Sequence, residues 1–568
     1  MKKTYLITLT LIAFALNASA QGVYIPLDDE YYHKVERYEI KSGKLSPRLF
    51  LSSGQIRRQD VAGFLEDISP DSTRMKLNRR DRFNLNYLKD DNWEWSSDPL
   101  AGNSVKPIRK TFFKHFYRKK NALYSFKTTK NNLFEIQFNP VFYGSLGAST
   151  GGAGGYTFQN TRGFEVRGMI GRRLGFYTFL GENQARLPTY MQRYEQKFGV
   201  VPGENFYKDY KTQGYDYLNF RGYLSFTAIK DVLQFQFGHD QNRVGPGYRS
   251  LLLGNFAPSY LFLKTNVKVW IFNYQWLMAQ GINNTSKYAY QGFDKKWFSM
   301  HHLSLNLGKH VNIGLFEAIT NGAEKADARF EWNYLNPIIL YRAVESFIGS
   351  KNAAMVGMDF KVNFLRHLQV YGQFAVSEFS IAEMRKRSGW FGNQQAVQLG
   401  MKYVDAFTVK NLDLQVEGNY VRPFMYSDRI SEGAYTHYNQ PMAHPLGANF
   451  WEVVGVARYQ AHKRVNLTAK GFYAYQGLDP TGNFNYGSNL TLPYVNRTQD
   501  YGNFIGTGAT TKIAMVDFCA SYMVRHNFWL DFNALYRRQT STEAALSFNT
   551  IYAALNVRMN IGRKETLF

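Results

Sequence analysis

The sequence predicts an all-β protein: a large antiparallel transmembrane β-barrel with a small, partly helical periplasmic segment on its amino-terminal side. Three observations carry the prediction. From Asn121 to the end, apolar and polar residues alternate with period two, segment after segment. Aromatic residues make up 17% of the chain, led by 45 Phe and 40 Tyr, and 47 Gly stand against only 16 Pro. Mean hydropathy is nevertheless negative, at −0.38. Past the first twenty residues there is no apolar run of the roughly 18 residues a membrane helix requires. Helical membrane proteins are thereby excluded, but not a barrel, because its strands place every second residue on a polar lumen.

Residues 1–20 read as an export signal to be removed. Lys2 and Lys3 form its basic start, Leu6 to Leu16 its apolar core, and Ala18-Ser19-Ala20 its small-residue cleavage site. The mature chain therefore leaves the cytoplasm, and the expected address is the bacterial outer membrane. Cys519 is the one cysteine, so neither an internal disulfide nor a cysteine-built zinc site is available.

Residues 21–120 differ from everything downstream. Val61, Phe64, Leu65 and Ile68 fall at helical spacing within Gln55–Ile68, with Ser53 near the start. Asp71 to Leu88 continues as a charged helical stretch. The expectation is a small segment packed against one end of the barrel.

Residues 121–568 are expected to be the barrel. Phe134, Ile136 and Phe138 alternate with Glu135, Gln137 and Asn139. Leu412, Leu414 and Val416 alternate with Asp413, Gln415 and Glu417, and Phe528, Leu530 and Phe532 with Asp531 and Asn533. In a soluble sandwich the polar face would be open surface; in a barrel it lines the lumen. The last strand is expected to run almost to Phe568, although Arg563-Lys564-Glu565 interrupts its alternation. Two long irregular stretches, 181–214 and 422–449, are expected to be outward-facing loops.

The sequence is organised around residues 233–253. Leu233, Phe235 and Phe237 alternate with Gln234 and Gln236, and Arg243 then introduces the rigid corner Gly245-Pro246-Gly247 before Ser250-Leu251-Leu252-Leu253. Proline fixes φ and glycine opens backbone angles closed to other residues, so this is a shaped turn between strands.

Chemistry is harder to find. Gly151-Gly152-Ala153-Gly154-Gly155 lacks the Gly-Lys-Ser/Thr ending of a phosphate cradle. His301 and His302, adjacent in a strand, point to opposite faces and cannot share a metal. His437 and His444 have no third ligand at useful spacing, and no Gly-x-Ser-x-Gly elbow occurs. No enzyme, metal or other cofactor is expected. The formal charge of +24 is spread along the chain without a nucleic-acid motif. On an exported protein it suits acidic polysaccharide or anionic lipid headgroups, not nucleic acid. Aromatic rings with neighbouring guanidinium groups suit a sugar chain, which offers both apolar faces and polar edges. Arg243, Tyr248, Arg249, Arg186, Tyr190 and Arg193 supply that mixture as candidate polysaccharide contacts. The competing reading of each is structural, since luminal arginines often pair with luminal acids.

Arg243-Val244-Gly245-Pro246-Gly247, with Ser250-Leu251-Leu252-Leu253 and Asn255-Phe256-Ala257-Pro258, resembles the signature of the Wzi-type capsule-assembly outer-membrane proteins. That motif usually reads Arg-x-Trp-Gly-Pro-Gly, then Ser-Leu-x-Leu-Ser-Asn-Asn-Ala-x-Pro. Here Val244 replaces the tryptophan and Gly254-Asn255-Phe256 the Ser-Asn-Asn, departures that bear on the ligand more than on the fold. Asn336-Pro337, the segment Glu345–Asp359 and His444-Pro445-Leu446-Gly447-Ala448-Asn449-Phe450 add to the likeness, the last resembling a stretch common in the Bacteroidetes branch. The resemblance implies a barrel of about eighteen strands with a periplasmic helical element. It implies a non-enzymatic lectin that attaches capsular or other surface polysaccharide to the cell. RemB-like relatives, linked to gliding motility, imply the alternative of a surface component acting through cell-surface protein partners. A solute pore is the third reading.

Overall fold

The computed structural model describes residues 22–568, apart from 72, 104–120, 129–132, 152–154, 172, 212–213, 284–292, 323–330, 338–340, 342, 345–352, 481–483 and 565–567. The export signal, residues 152–154 of the glycine run and residues 345–352 of the Glu345–Asp359 segment lie outside the described residues.

The alternating segments close into an antiparallel barrel of eighteen strands. These are β1 (Phe134–Ser149), β2 (Gly155–Ile170), β3 (Leu174–Arg186), β4 (Gly214–Ile229), β5 (Leu233–Asp240) and β6 (Tyr260–Val269). There follow β7 (Phe272–Ile282), β8 (Lys295–Leu307), β9 (Val311–Asn321), β10 (Ala353–Phe364), β11 (Leu368–Glu378) and β12 (Gln394–Tyr403). The last are β13 (Leu412–Val421), β14 (Phe450–His462), β15 (Val465–Leu478), β16 (Ala509–Arg525), β17 (Phe528–Ser541) and β18 (Phe548–Met559). Each pairs with its sequence neighbours, and β18 closes on β1 from Phe142↔Met559 to Ser149↔Tyr552. Below that point the short strand Tyr124–Lys127 covers the open ladder of β1, pairing with Phe138 to Glu135. The seam therefore leaves little unpaired backbone.

The period-two pattern sorts the side chains as the sequence indicates. On β5, Phe237 is 54% exposed on the outer wall while Gln236 is 1% exposed in the lumen. On β18 Leu555 is 67% exposed, and its neighbour Asn556 is buried. An apolar exterior around a hydrophilic interior is the surface of a barrel that spans a membrane. One pair of polar residues on the outer wall is covered rather than exposed. His301 on β8 and Glu317 on β9 face each other outward across the ladder. They are covered by the β9–β10 connection, with Tyr341 stacked on His301 at 4.2 Å and the Asn336 carbonyl 3.0 Å from its ring.

One rim consists of tight turns, such as Trp270–Ile271, Lys463–Arg464 and His526–Asn527. The other carries the long loops. By the usual barrel orientation the tight-turn rim is periplasmic.

The helical segment comprises α1 (Asp29–Ser42), α2 (Arg58–Ile68) and α3 (Arg79–Asp91). Asp28 caps α1 by accepting from the Tyr31 N–H, and Asn78 and Asp81 form a capping box on α3. Val35, Tyr38, Val61, Phe64, Leu65 and Leu88 give the unit its own core. It does not simply abut the barrel end, as the sequence reading had it, but sits inside the lumen at the tight-turn rim. The reason is electrostatic. Glu36 pairs with Lys402 of β12 at 2.6 Å, Glu39 with Lys361 of β10 at 2.8 Å, and Glu30 with Arg558 of β18 at 3.1 Å. Arg37 reaches Asp405 at 2.6 Å and also binds Asp413. The second helix starts at Arg58, with Arg57 and not Ser53 at its N-cap position and no side-chain cap bond there, and the third starts at Arg79, later than the charged stretch suggested.

The chain's end is also corrected. β18 stops at Met559, and the residues after it turn back into the lumen. Arg563 binds Asp517 of β16, and Lys564 donates to Asn183 of β3 at 2.9 Å. Phe568 is buried against Tyr190, Tyr194 and Phe256, with centroids 5.2–5.4 Å away. Lumen-facing cations of the tail find acids and amides there, which is why the alternation fails at Arg563-Lys564.

The presumed loop 181–214 is strand to Arg186, then the helix α4 (Thr189–Phe198) and a short strand Lys208–Tyr210. Residues 422–449 fold inward and not outward: Phe424, Met425, His444 and Asn449 are fully buried.

Candidate functional site

The β5–β6 loop, residues 241–259, enters the lumen and builds the site. The Val244 N–H donates to the Leu253 carbonyl at 2.9 Å, pinching the loop shut, and Ser250 Oγ donates to the Val244 carbonyl at 2.5 Å. Gly245 has φ +114°, a left-handed backbone that suits glycine, and its N–H donates to the Ser52 carbonyl of the helical unit at 2.8 Å. Leu251, Leu252 and Leu253 are fully buried in an apolar core inside the lumen, with Phe262, Phe298 and Met425. Glu417 of β13 accepts from the Tyr248 and Arg249 N–H groups at 2.6 and 3.0 Å. Lys402 joins loop to helix, donating to the Pro246 carbonyl at 2.8 Å while paired with Glu36.

Fixed in this way, the loop forms one wall of a luminal cavity of about 370 Å³. The others are α1 (Asp29, Tyr32, His33), strands β1–β4 (Tyr143, Tyr177, Tyr217, Arg221) and the chain's end (Arg563, Lys564). The cavity thus combines aromatic rings with cations and amides. Several of those cations are committed. Arg249 pairs with Glu452 at 3.1 Å, and Arg458 with Asp29 at 2.9 Å. Arg221, Arg243 and Lys564 have no carboxylate within ion-pair distance among the described residues. Arg243 closes its own loop, donating to the Tyr248 carbonyl at 3.2 Å and to that of Gly247. Arg221 lies over the Phe179 ring at 5.0 Å, and its Nε has no hydrogen-bond partner among the described residues. Neither has Asn219 Oδ1, whose amide donates to Glu204 at 2.7 Å. Lys564 sits between Tyr143 and Tyr217, 5.7 and 5.5 Å from their ring centroids, and burial pushes its ammonium down to about 8. Burial raises the Glu204 carboxyl.

Of the residues singled out in sequence, Arg243, Tyr248, Arg249 and Arg186 line this cavity. Arg186 also stacks on Tyr156 at 4.6 Å. Tyr190 and Arg193 do not line it. They share one face of α4, three residues apart, and that face meets the β17–β18 wall. The Arg537 guanidinium lies over Tyr190 at 5.5 Å, while Arg193 reaches the Ala545 carbonyl at 3.2 Å and the Phe548 ring at 4.4 Å. Reading 181–214 as irregular hid this helical face. Arg221, Asn219, Tyr217 and Lys564 were missed. A signal existed for the first three: they share the inward parity of β4 with buried Tyr215 and Tyr223.

The histidines have separate partners. His302 faces Asp359 in the lumen at 2.7 Å. His437 accepts from the Ile282 N–H at 3.0 Å, and His444 pairs with Glu452 at 2.8 Å.

No family model and no curated protein matches the chain. Among solved structures it is similar to Wzi of Escherichia coli, an outer-membrane protein involved in group 1 capsule assembly and described as a carbohydrate-binding β-barrel. The TM-score is 0.56 at 11% identity, over 95% of this chain and 100% of that one. OprD of Pseudomonas aeruginosa gives a TM-score of 0.42 at 10% identity, over 76% of this chain and 96% of that one. At such identities the likeness is one of architecture. The fold is that of an outer-membrane β-barrel carrying a helical unit at its amino-terminal side.

Proposed function

We propose that the protein is a non-enzymatic outer-membrane barrel that binds capsular or other surface polysaccharide and helps hold it at the cell surface. The supporting observation is the luminal cavity, which faces aromatic rings of Tyr143, Tyr217 and Tyr248 together with the guanidinium groups of Arg221 and Arg243, neither of which pairs with a carboxylate among the described residues. Rings take the apolar faces of sugars, and guanidinium groups bind carboxylates through charge-assisted bonds. The expected ligand is therefore an acidic glycan. The architecture shared with Wzi, itself described as carbohydrate-binding and involved in capsule assembly, supports the same reading. The apolar outer wall meets outer-membrane lipid.

The test is equilibrium binding of purified, detergent-solubilised protein to surface polysaccharide from the parent strain, with its carboxyl-reduced form as control. Binding of the native glycan, weakened by carboxyl reduction, is expected. Binding of neither form would overturn the reading.

A further inference from the structure

We propose that the barrel holds a second, latent activity: conduction of small hydrated ions along a passage that residues Asn560–Lys564 keep closed. The inference goes beyond glycan binding and does not depend on it.

A second cavity, of about 110 Å³, lies beneath the first. It is bounded by Tyr87 and Asp90 of α3, Arg167, Arg558 and the His526–Asn527 turn, and so reaches the tight-turn rim. The upper cavity reaches the long-loop rim at Arg186, Pro202 and Asn255. Both are lined by Pro26, Asp28, Glu165, Asn560, Ile561 and Gly562. A single partition therefore separates two halves of one path along the β1–β4 and β17–β18 wall. On one side it is the cap of α1, on the other the turn that follows β18. The two are in contact: a Cβ built on Gly562 would stand 3.5 Å from that of Asp28.

The two sides of the partition are not equally fixed. Asp28 belongs to a helix tied to the strands by buried ion pairs on several sides. Residues 560–564 lie outside the sheet ladder. Among the contacts that hold them are the Asn560 N–H on the Asn527 carbonyl at 2.9 Å, the Asn560 amide on the Pro140 carbonyl at 2.8 Å, the Arg563–Asp517 pair and the Lys564–Asn183 bond, and Phe568 anchors the end of the chain beyond them. Ile561 is the apolar residue among them, packed against the cluster that contains Val23, Val141 and Tyr177. Burying the Lys564 ammonium opposes docking. Departure of this segment removes half of the partition and leaves the barrel's hydrogen-bonded ladder whole.

Single-channel recording in planar lipid bilayers tests the proposal. Full-length protein is expected to show little current, and a variant lacking residues 561–568 a stepwise conductance at least tenfold larger. Should truncation impair folding, the full-length chain carrying Asp517→Asn, Cys519→Ser and the pair Asp28→Cys, Gly562→Cys provides a second measurement. The Cβ separation suits a disulfide, for which about 3.5–4.5 Å is usual. Current is expected under reduction and is expected to vanish on oxidation. The proposal is overturned if the truncated, heat-modifiable barrel conducts no more than full-length protein. It is equally overturned if oxidation leaves the current of the cysteine pair unchanged, or if full-length protein already conducts steadily at the truncated level.

Discussion

One guanidinium nitrogen of Arg458 reaches both carboxylate oxygens of Asp29, at 3.0 and 2.9 Å, across 429 positions of sequence. Lys470 adds a third bond to the same carboxylate at 3.0 Å. The first turn of α1 is thereby fastened to β14 and β15. Asp29→Asn is expected to loosen that turn, and Lys361→Met to loosen the helix more. Lys361 and Glu39 are 2% and 1% exposed, and an orphaned buried charge costs about 3–5 kcal/mol. Hydrogen exchange across α1 measures both, with heat-modifiable migration reporting that the barrel is intact. Unaltered exchange in Lys361→Met would mean that the pair contributes nothing to docking.

Acid should release the same helix. Burial works to raise the Glu30 carboxyl, but Arg558 outweighs it, aided by Lys34 and Arg563, and holds it at about 2. Burial likewise acts upward on Asp29, and Arg458 and Lys470 hold it well below the usual range. Both are lower in the docked state than in the free chain. Their contribution is therefore complete above about pH 4.5 and is lost as pH falls toward 2, on the order of 3 kcal/mol for Glu30. Protease cleavage within α1 should rise between pH 5 and pH 3 while the barrel stays folded. Equal cleavage at both pH values would refute this.

The two arginines of the loop should separate. Arg243→Ala removes a cation that has no acidic partner, and is expected to weaken glycan retention about tenfold with normal barrel assembly, the size of a lost charge-assisted bond. Arg249→Ala strands Glu452 beside His444, so retention and thermal stability should fall together. Binding isotherms and thermal unfolding on the same preparations decide it. Full retention in Arg243→Ala would remove that residue from the site.

Gly245→Ala tests the corner itself. A methyl group there would overlap the Gln373 amide, and φ of +114° is strained for any L side chain. The cost expected is about 1–3 kcal/mol, seen as a lowered unfolding midpoint. Weaker glycan binding should accompany it, because the loop loses its seat on Ser52. A midpoint unchanged from wild type would show that the loop adapts freely.

Much of the barrel was legible because period two needs no long-range information: Phe237 out and Gln236 in follows from local sequence. α1 was not legible. Its sequence buries Arg37, Glu39 and Lys41, so it shows no clean apolar stripe, and pattern reading assumes an apolar core. Here the helix packs into a polar lumen, where Asp405, Lys361 and Lys402 await it. The cavity was half legible. Arg243 and Tyr248 stood in a recognisable corner, whereas the approach of Lys564 to Tyr217 depends on where the chain goes after β18. The aromatic Phe568 suggested a continuing strand; burial against Tyr190 and Phe256 accounts for it instead.

The placement of the helical unit also sets an order of events. Asp29, Glu30, Glu36 and Glu39 belong to the earliest part of the chain, while Arg458, Lys470 and Arg558 belong to its final strands. Contacts so distant along the chain form slowly, because so much of the chain must be gathered before any is made. During assembly the Glu36 and Glu39 pairs with β12 and β10 can form before those of Asp29 and Glu30, and α1 is fully fixed only when the last strands bring Arg458, Lys470 and Arg558. What is synthesised first is completed last.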